Sequence, residues 1–217
     1  MKSIKFIFTT LFLLFLACSQ LGAQTKYASE FREFGIDDSL HSNKSVKILF
    51  AGSSTFRKWK SMKTDLARED ILNRGFGGSN MKELYQFREK IITKYNPSEV
   101  FIYEGDNDIA QGISVDTIMK YTNMLLKDLE SKIKCRYYFI SVKPSPSRAM
   151  FVEEQIDLNS RFKSLTKENP AIRYIDIFKL FYKNGNIPAN YFEADRLHLN
   201  SEGYKLVSKE LIPYLDK

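Results

Sequence analysis

The feature that most restricts the fold is a regular alternation of short apolar runs with amphipathic stretches of helical period. Residues 46–51, 70–73, 99–103, 136–142 and 172–176 each read as a strand bounded by turn residues. Between them, residues 80–94, 114–133 and 150–167 carry apolar side chains at helical spacing, and residues 201–211 make a last helix stopped near Pro213. Leu84, Phe87, Ile91 and Ile92 share one face of the first helix, with Asn80 and Glu83 as a capping pair at its start. Ile118, Tyr121, Leu125, Leu129 and Ile133 face inward from the second. Strands alternating with helices imply a five-stranded parallel sheet covered on both faces. Ligands of such sheets bind beyond the carboxyl ends of the strands.

The N-terminus has a different character. A short basic head, Met1 to Lys5, precedes a nearly all-apolar run over residues 6–17 and a small, more polar stretch over residues 18–24. That is the layout of a secretory signal, with cleavage expected after Ala23, and the apolar run is short for a membrane span. An N-terminal core helix is the alternative. Phe15-Leu16-Ala17-Cys18 also resembles a bacterial lipoprotein signal, with Phe15 in place of the usual Leu. The expected location is therefore periplasmic or secreted, with anchoring through a lipidated Cys18 as the other reading. Otherwise no stable membrane insertion is expected. Residues 24–45 are expected to pack on the main domain, Tyr27 to Phe34 as a short helix laying Phe31 and Phe34 on the sheet's edge. Residues 46–217 form that domain, long enough for a single core.

Removing residues 1–23 takes away Lys2 and Lys5 and lowers the formal net charge from +7 to +5. The remaining lysines and arginines are scattered among acids, which reads as a solvated surface and not as a nucleic-acid footprint. No zinc-type Cys/His spacing occurs. After cleavage Cys135 stands alone, so no intrachain disulfide forms, and it reads as a small buried hydrophobe.

The chain has two histidines, and His198 follows Asp195 by three residues, close enough for the carboxylate to orient the imidazole. Three further groups fall at predicted strand ends: Gly52-Ser53-Ser54-Thr55, the glycine-rich run from Asn73 to Asn80, and Glu104-Gly105-Asp106-Asn107-Asp108. One crevice then gathers a serine, glycine N–H groups, an asparagine amide and an Asp/His pair. Acyl transfer needs that set: a nucleophile, a base held in one tautomer, and donors aimed at the developing oxyanion. Each feature also has a plainer reading. Gly75, Gly77 and Gly78 suit a tight strand-to-helix turn, and they lack dinucleotide and P-loop spacing. Ala110 falls where a calcium loop needs an oxygen ligand. Glu104 and Asp108 read as solvated or as helix caps, His41 as a surface residue, and Arg57 and Trp59 as packing after the serine.

Together these blocks resemble the SGNH/GDSL hydrolases, from about Ile48 to Tyr204 and in the family's order. The resemblance implies a three-layer α/β/α, flavodoxin-like fold. It matches Gly52-Ser53-Ser54 to the nucleophile block, making Ser54 the nucleophile. It gives Gly78 and Asn107 oxyanion roles beside the Ser54 N–H, and makes Asp195 and His198 the remaining triad members. Ser53 replaces the usual Asp before the nucleophile, so the assignment of Ser54 over Ser53 rests on register. The Gly-Ser-Ser block followed by Arg57-Lys58-Trp59 resembles a variant branch of the family. Ser53, Arg57 and Asp106 are expected at the site rim.

The implied function is a secreted serine esterase that needs no metal or organic cofactor and acts on a small-molecule or glycan ester. Thr55, Ser79, Asn80, Asp106 and Asp108 suggest a polar rim suited to short acyl groups, with carbohydrate O-deacetylation as the substrate expectation. The alternatives are a lipase or lysophospholipase-type acylhydrolase, and a non-catalytic carbohydrate- or lipid-binding module on the same scaffold.

Overall fold

A computed structural model describes residues 26–40 and 46–215. The leader, its cleavage position, Cys18 and His41 lie outside the described residues. Two compact units emerge, residues 1–44 and residues 45–217. In the first, helix α1 (Ala28–Leu40) starts one residue after the expected Tyr27 and runs past Phe34, with Phe31 in ring contact with both Tyr27 and Phe34.

The second unit is a parallel α/β domain. Its strands are β1 (Ile48–Gly52), β2 (Ile71–Gly75), β3 (Glu99–Tyr103), β4 (Arg136–Ile140) and β5 (Ile172–Ile175), in spatial order β2-β1-β3-β4-β5 with every pairing parallel. Short helices α2 (Ser54–Arg57) and α3 (Met62–Asp65) follow β1, and α4 (Met81–Ile91) follows β2. Helices α5 (Asp106–Ala110) and α6 (Val115–Lys132) follow β3, and α7 (Val152–Glu168) follows β4. After β5 come α8 (Phe178–Phe181), a long loop and α9 (Ser201–Leu215). Among the described residues no helix is long and apolar enough to cross a membrane.

The two strand faces carry separate cores. Ile48, Phe50, Phe101, Tyr103, Tyr138, Ile140 and Ile175 point to one face, against Phe56, Trp59, Val207 and Leu211. Phe50, Phe101 and Tyr138 are in register on adjacent strands, and their rings stack at 4.6 and 4.2 Å. On the other face Phe139 meets Phe162 of α7, and Leu84, Ile118, Leu125, Leu129 and Leu158 are buried. Continuous apolar strands of this kind belong to a sheet covered on both sides.

Several sequence expectations shift locally. Strand β2 runs on to Gly75, so the glycine run begins inside the strand. The capping box is present: Asn80 accepts the Glu83 N–H and the Glu83 carboxylate accepts the Asn80 N–H. Helix α9 passes through Pro213 to Leu215. The proline sits in the final turn, and buried Leu211 and Leu215 on either side of it hold that turn to the core. Cys135 is only half-buried, just before β4, and burial pushes its thiol up to about 12.

The β1 exit is the tightest point of the sheet. Gly52 has φ +148°, and a Cβ there would lie 2.1 Å from the Tyr103 carbonyl oxygen, a backbone atom that cannot swing away. Ser53, the next residue, donates its N–H to that same oxygen at 3.1 Å. Gly52→Ala is expected to destabilise the domain by at least ~1–3 kcal/mol through strain at this junction. A urea-unfolding midpoint equal to that of the unsubstituted protein would contradict the account.

Candidate active site

Ser54 is the first residue of α2, with Ser53 in an extended N-cap conformation before it. Its Oγ lies 3.0 Å from His198 Nε2, across 144 residues of sequence. The His198 Nδ1 is 2.5 Å from Asp195 Oδ2. A carboxylate can only accept, so Nδ1 carries the proton and Nε2 presents its lone pair to the Ser54 hydroxyl. The carboxylate's other oxygen accepts the N–H groups of Leu197 and His198, each at 2.9 Å. Burial opposes ionisation of Asp195, but the bonds from His198 and Leu197 outweigh it and hold the carboxyl well below its usual range.

The Asp195/His198 pair is not on a helical turn. Arg196 adopts a left-handed φ of +57°, and the aspartate side chain closes the turn by capping the two following N–H groups. A Phe192–Leu199 bridge closes the base of this loop. Within it, Glu193 donates its N–H to the His198 carbonyl at 2.8 Å. Just beyond, the Tyr204 hydroxyl of α9 donates to the Thr55 carbonyl at 2.9 Å in a buried contact, and its ring stacks on Trp59 at 5.0 Å. The helix after the histidine is thereby fastened to the helix after the serine.

Gly78 lies in the β2–α4 turn with φ +74°, a left-handed conformation that favours glycine. Asn107 lies in α5 and donates Nδ2 to the Ser79 carbonyl at 2.8 Å, so its amide is joined to the residue after Gly78. Arg57 is exposed, and its guanidinium lies where a Cβ on Gly77 would meet it at 3.2 Å.

The expected polar rim is not found. Thr55, Ser79, Asn80, Asp106 and Asp108 are buried, as is Ser53, and only Arg57 of the three rim residues reaches solvent. Ser79, Asn80, Asp106 and Asp108 instead bond to residues of neighbouring segments. Glu104, expected to be solvated, accepts from Ser79 Oγ at 2.5 Å, and burial together with Asp108 drives its carboxyl well above the usual range. Asp108 accepts the leading Met81 N–H of α4 at 3.0 Å, and burial pushes it up to about 6. Of the two readings the sequence leaves for Asp108, solvated or helix cap, the structure shows a cap, on a helix distant in sequence and in a buried setting.

Two cations from the segment after β4 escape sequence reasoning. Lys143 is 1% exposed and donates from Nζ to the Leu197 carbonyl at 2.9 Å, inside the Asp195–His198 loop. Arg148 donates to Asn107 Oδ1 at 3.0 Å and ion-pairs with Asp106 at 2.8 Å. The turn residues of Lys143-Pro144-Ser145-Pro146 mark only a strand end. Among the described residues, the cluster with ligand-like spacing is Glu193, Asp195 and His198, but both imidazole nitrogens there are engaged by Asp195 and Ser54.

A family model for GDSL-like lipases and acylhydrolases matches residues 38–206. The chain belongs to this GDSL-like Lipase/Acylhydrolase family. It is accordingly a hydrolase. The family's fold recurs in a GDSL-like lipase from Bacteroides thetaiotaomicron, 16% identical, which covers 86% of this chain and 97% of its own with a TM-score of 0.73. A catalytic mutant of an acetylxylan esterase from Geobacillus stearothermophilus is 13% identical, covers 80% of this chain and 95% of its own, and has a TM-score of 0.66. A lipase/acylhydrolase from Enterococcus faecalis is 17% identical over 78% of this chain and 95% of its own, with a TM-score of 0.63. No curated protein matches the sequence.

Burial lowers Lys143 to about 8 from an ordinary value of 10.5, with Arg148 adding to the shift and Asp106 and Asp195 opposing it. Between about pH 8 and 10.5 the unfolded chain still holds a proton that the folded chain has released, so this residue's contribution to stability rises with pH. From pH 7 to pH 10, urea unfolding is expected to show the native protein gaining stability relative to Lys143→Met. A difference that stays constant with pH would contradict the burial of a charged ammonium here.

Proposed function

We propose that the protein is a serine carboxylic ester hydrolase acting outside the cytoplasm. The observation that carries this reading is the hydrogen-bonded chain from Ser54 Oγ through His198 to Asp195. In the proposed reaction Ser54 attacks the acyl carbon while His198 Nε2 takes the hydroxyl proton. Asp195 stabilises the imidazolium, which then gives the proton to the departing alcohol. Water repeats the sequence on the acyl-enzyme. The N–H groups of Ser54 and Gly78 and the Asn107 amide receive the oxyanion, and loss of one such donor costs ~2.7–4 kcal/mol of barrier stabilisation. The leader read from residues 1–23 would carry this chemistry across the cytoplasmic membrane.

For substrate, we favour short acyl esters, and acetyl groups on carbohydrate above all. Support comes from the acetylxylan esterase among the structural neighbours. The polar rim that would have argued for this is absent, because its residues are buried. A second reading, lipase-type action, is favoured by Met150, which is 74% exposed and two residues beyond Arg148. If Met150 borders the acyl group, each added methylene it covers would be worth about 0.8 kcal/mol.

Ser54→Ala and His198→Ala are each expected to lower kcat for p-nitrophenyl acetate by at least ~10⁴-fold, as in other triads, with Ser53→Ala near the unsubstituted rate. The reverse pattern between the two serines would overturn the nucleophile assignment. Acidification is expected to depress kcat/KM, because a protonated imidazole cannot accept the Ser54 proton.

Across acetyl, butyryl, octanoyl and palmitoyl esters, kcat/KM is expected to peak at acetyl. A steady rise beyond butyryl would select the lipase reading.

A further inference from the structure

We propose that Arg148 is a positioning residue that fixes the orientation of the Asn107 amide, so that its NH₂ and not its oxygen is offered to the oxyanion. The inference rests on the ester-hydrolase reading and extends it. A side-chain amide has two orientations of nearly equal shape, with opposite electrostatic character at each end. Reversed, Asn107 would present a carbonyl dipole to the developing negative charge and raise the barrier it is meant to lower.

Two contacts remove that ambiguity. A guanidinium can only donate, and the Arg148 Nη2 lies 3.0 Å from Asn107 Oδ1, so oxygen must face it. A backbone carbonyl can only accept, and the Ser79 oxygen lies 2.8 Å from Asn107 Nδ2. Both partners demand the same orientation. An amide nitrogen carries two hydrogens, and Ser79 uses one, which leaves the second to serve the site.

Arg148 is itself held. Its Nη1 pairs with Asp106 Oδ2 at 2.8 Å, and Asp106 Oδ1 accepts from the buried Gln155 Nε2 at 3.3 Å. One planar guanidinium therefore bridges two consecutive residues of α5, gripping Asp106 with one nitrogen and Asn107 with the other. The backbone around it is tied down on both sides. Arg148 donates its N–H to the Ser145 carbonyl at 2.9 Å, and Ser147 donates to the Arg196 carbonyl in the Asp195–His198 loop at 3.1 Å. A lysine has a single ammonium and cannot reproduce the fork.

The test is a double-mutant cycle on p-nitrophenyl acetate turnover, with Ser54→Ala as control. Arg148→Ala is expected to lower kcat by about 10–100-fold, up to the loss from removing an oxyanion donor, with KM unchanged. Arg148→Lys, which keeps the charge beside Asp106, is expected to lose a similar factor. In the Asn107→Ala background, either arginine substitution is expected to cause no further loss, because no amide remains to orient. A merely structural role would move thermal stability and KM and would multiply with Asn107→Ala. Wild-type kcat in both arginine variants, or losses that multiply, would overturn the proposal. If Arg148→Ala does not fold, Arg148→Lys completes the same cycle. Full turnover in Ser54→Ala would instead sink the ester-hydrolase reading. An inactive Ser54→Ala beside a fully active Arg148→Lys and Arg148→Ala would sink the positioning role alone.

Discussion

Parallel pairing of all five strands is the constraint on which the rest of the structure depends. It sends every strand exit to one edge of the sheet, so residues distant in sequence meet without any long excursion of the chain. The strand order adds a second condition. From β1 the chain moves outward to β2, and from β3 it moves the other way to β4. Their following segments therefore part above the β1/β3 seam, the place where sheets of this kind bind ligands. Ser54 and Asn107 stand just beyond the two strands that flank this seam. The Gly52–Tyr103 approach draws the two backbones together at its floor.

The site is held together by ionisable and polar groups that do not face solvent. Glu104, Asp106 and Asp108 come from the β3 exit, and Lys143 and Arg148 from the β4 exit. Burying such groups is costly, and the cost is offset only where each finds partners. Here the partners are the groups that must not move: the leading N–H of α4 for Asp108, Ser79 for Glu104, the Leu197 carbonyl for Lys143, and Asn107 for Arg148. The network ties the exits of β2, β3 and β4 and the Asp195–His198 loop into one unit. Rigid support of this kind is what a preorganised site needs.

The fold was legible because the apolar periods are strong. Glu99–Tyr103 was bounded correctly, and the Asn80/Glu83 pair marked the start of α4, because both signals are local. A parallel sheet covered on both faces follows from alternation, and the three-layer, flavodoxin-like form from the family resemblance. The proximity of Ser54, His198 and Asp195 was readable from motif order, although the turn that brings Asp195 to His198 is an aspartate-capped loop and not a helical one. The burial of the polar residues at the strand ends is not legible in the sequence. A sequence shows that Asp106 and Ser79 follow strand ends but not which other segment covers them. Lys143 and Arg148 escaped notice for a related reason. Their partners are a backbone carbonyl and a side chain from other exits, and neither leaves a mark within the local sequence.

The stack of Phe50, Phe101 and Tyr138 links correct assembly to a competent site. The side chains of a strand alternate between faces, so a one-residue slip of β1 or β3 against its neighbours would carry a ring from one core to the other. The same slip would move Gly52 from the one place where its missing Cβ admits Tyr103, and would shift Ser54 relative to Asn107. A misregistered sheet therefore cannot keep its core while losing its chemistry.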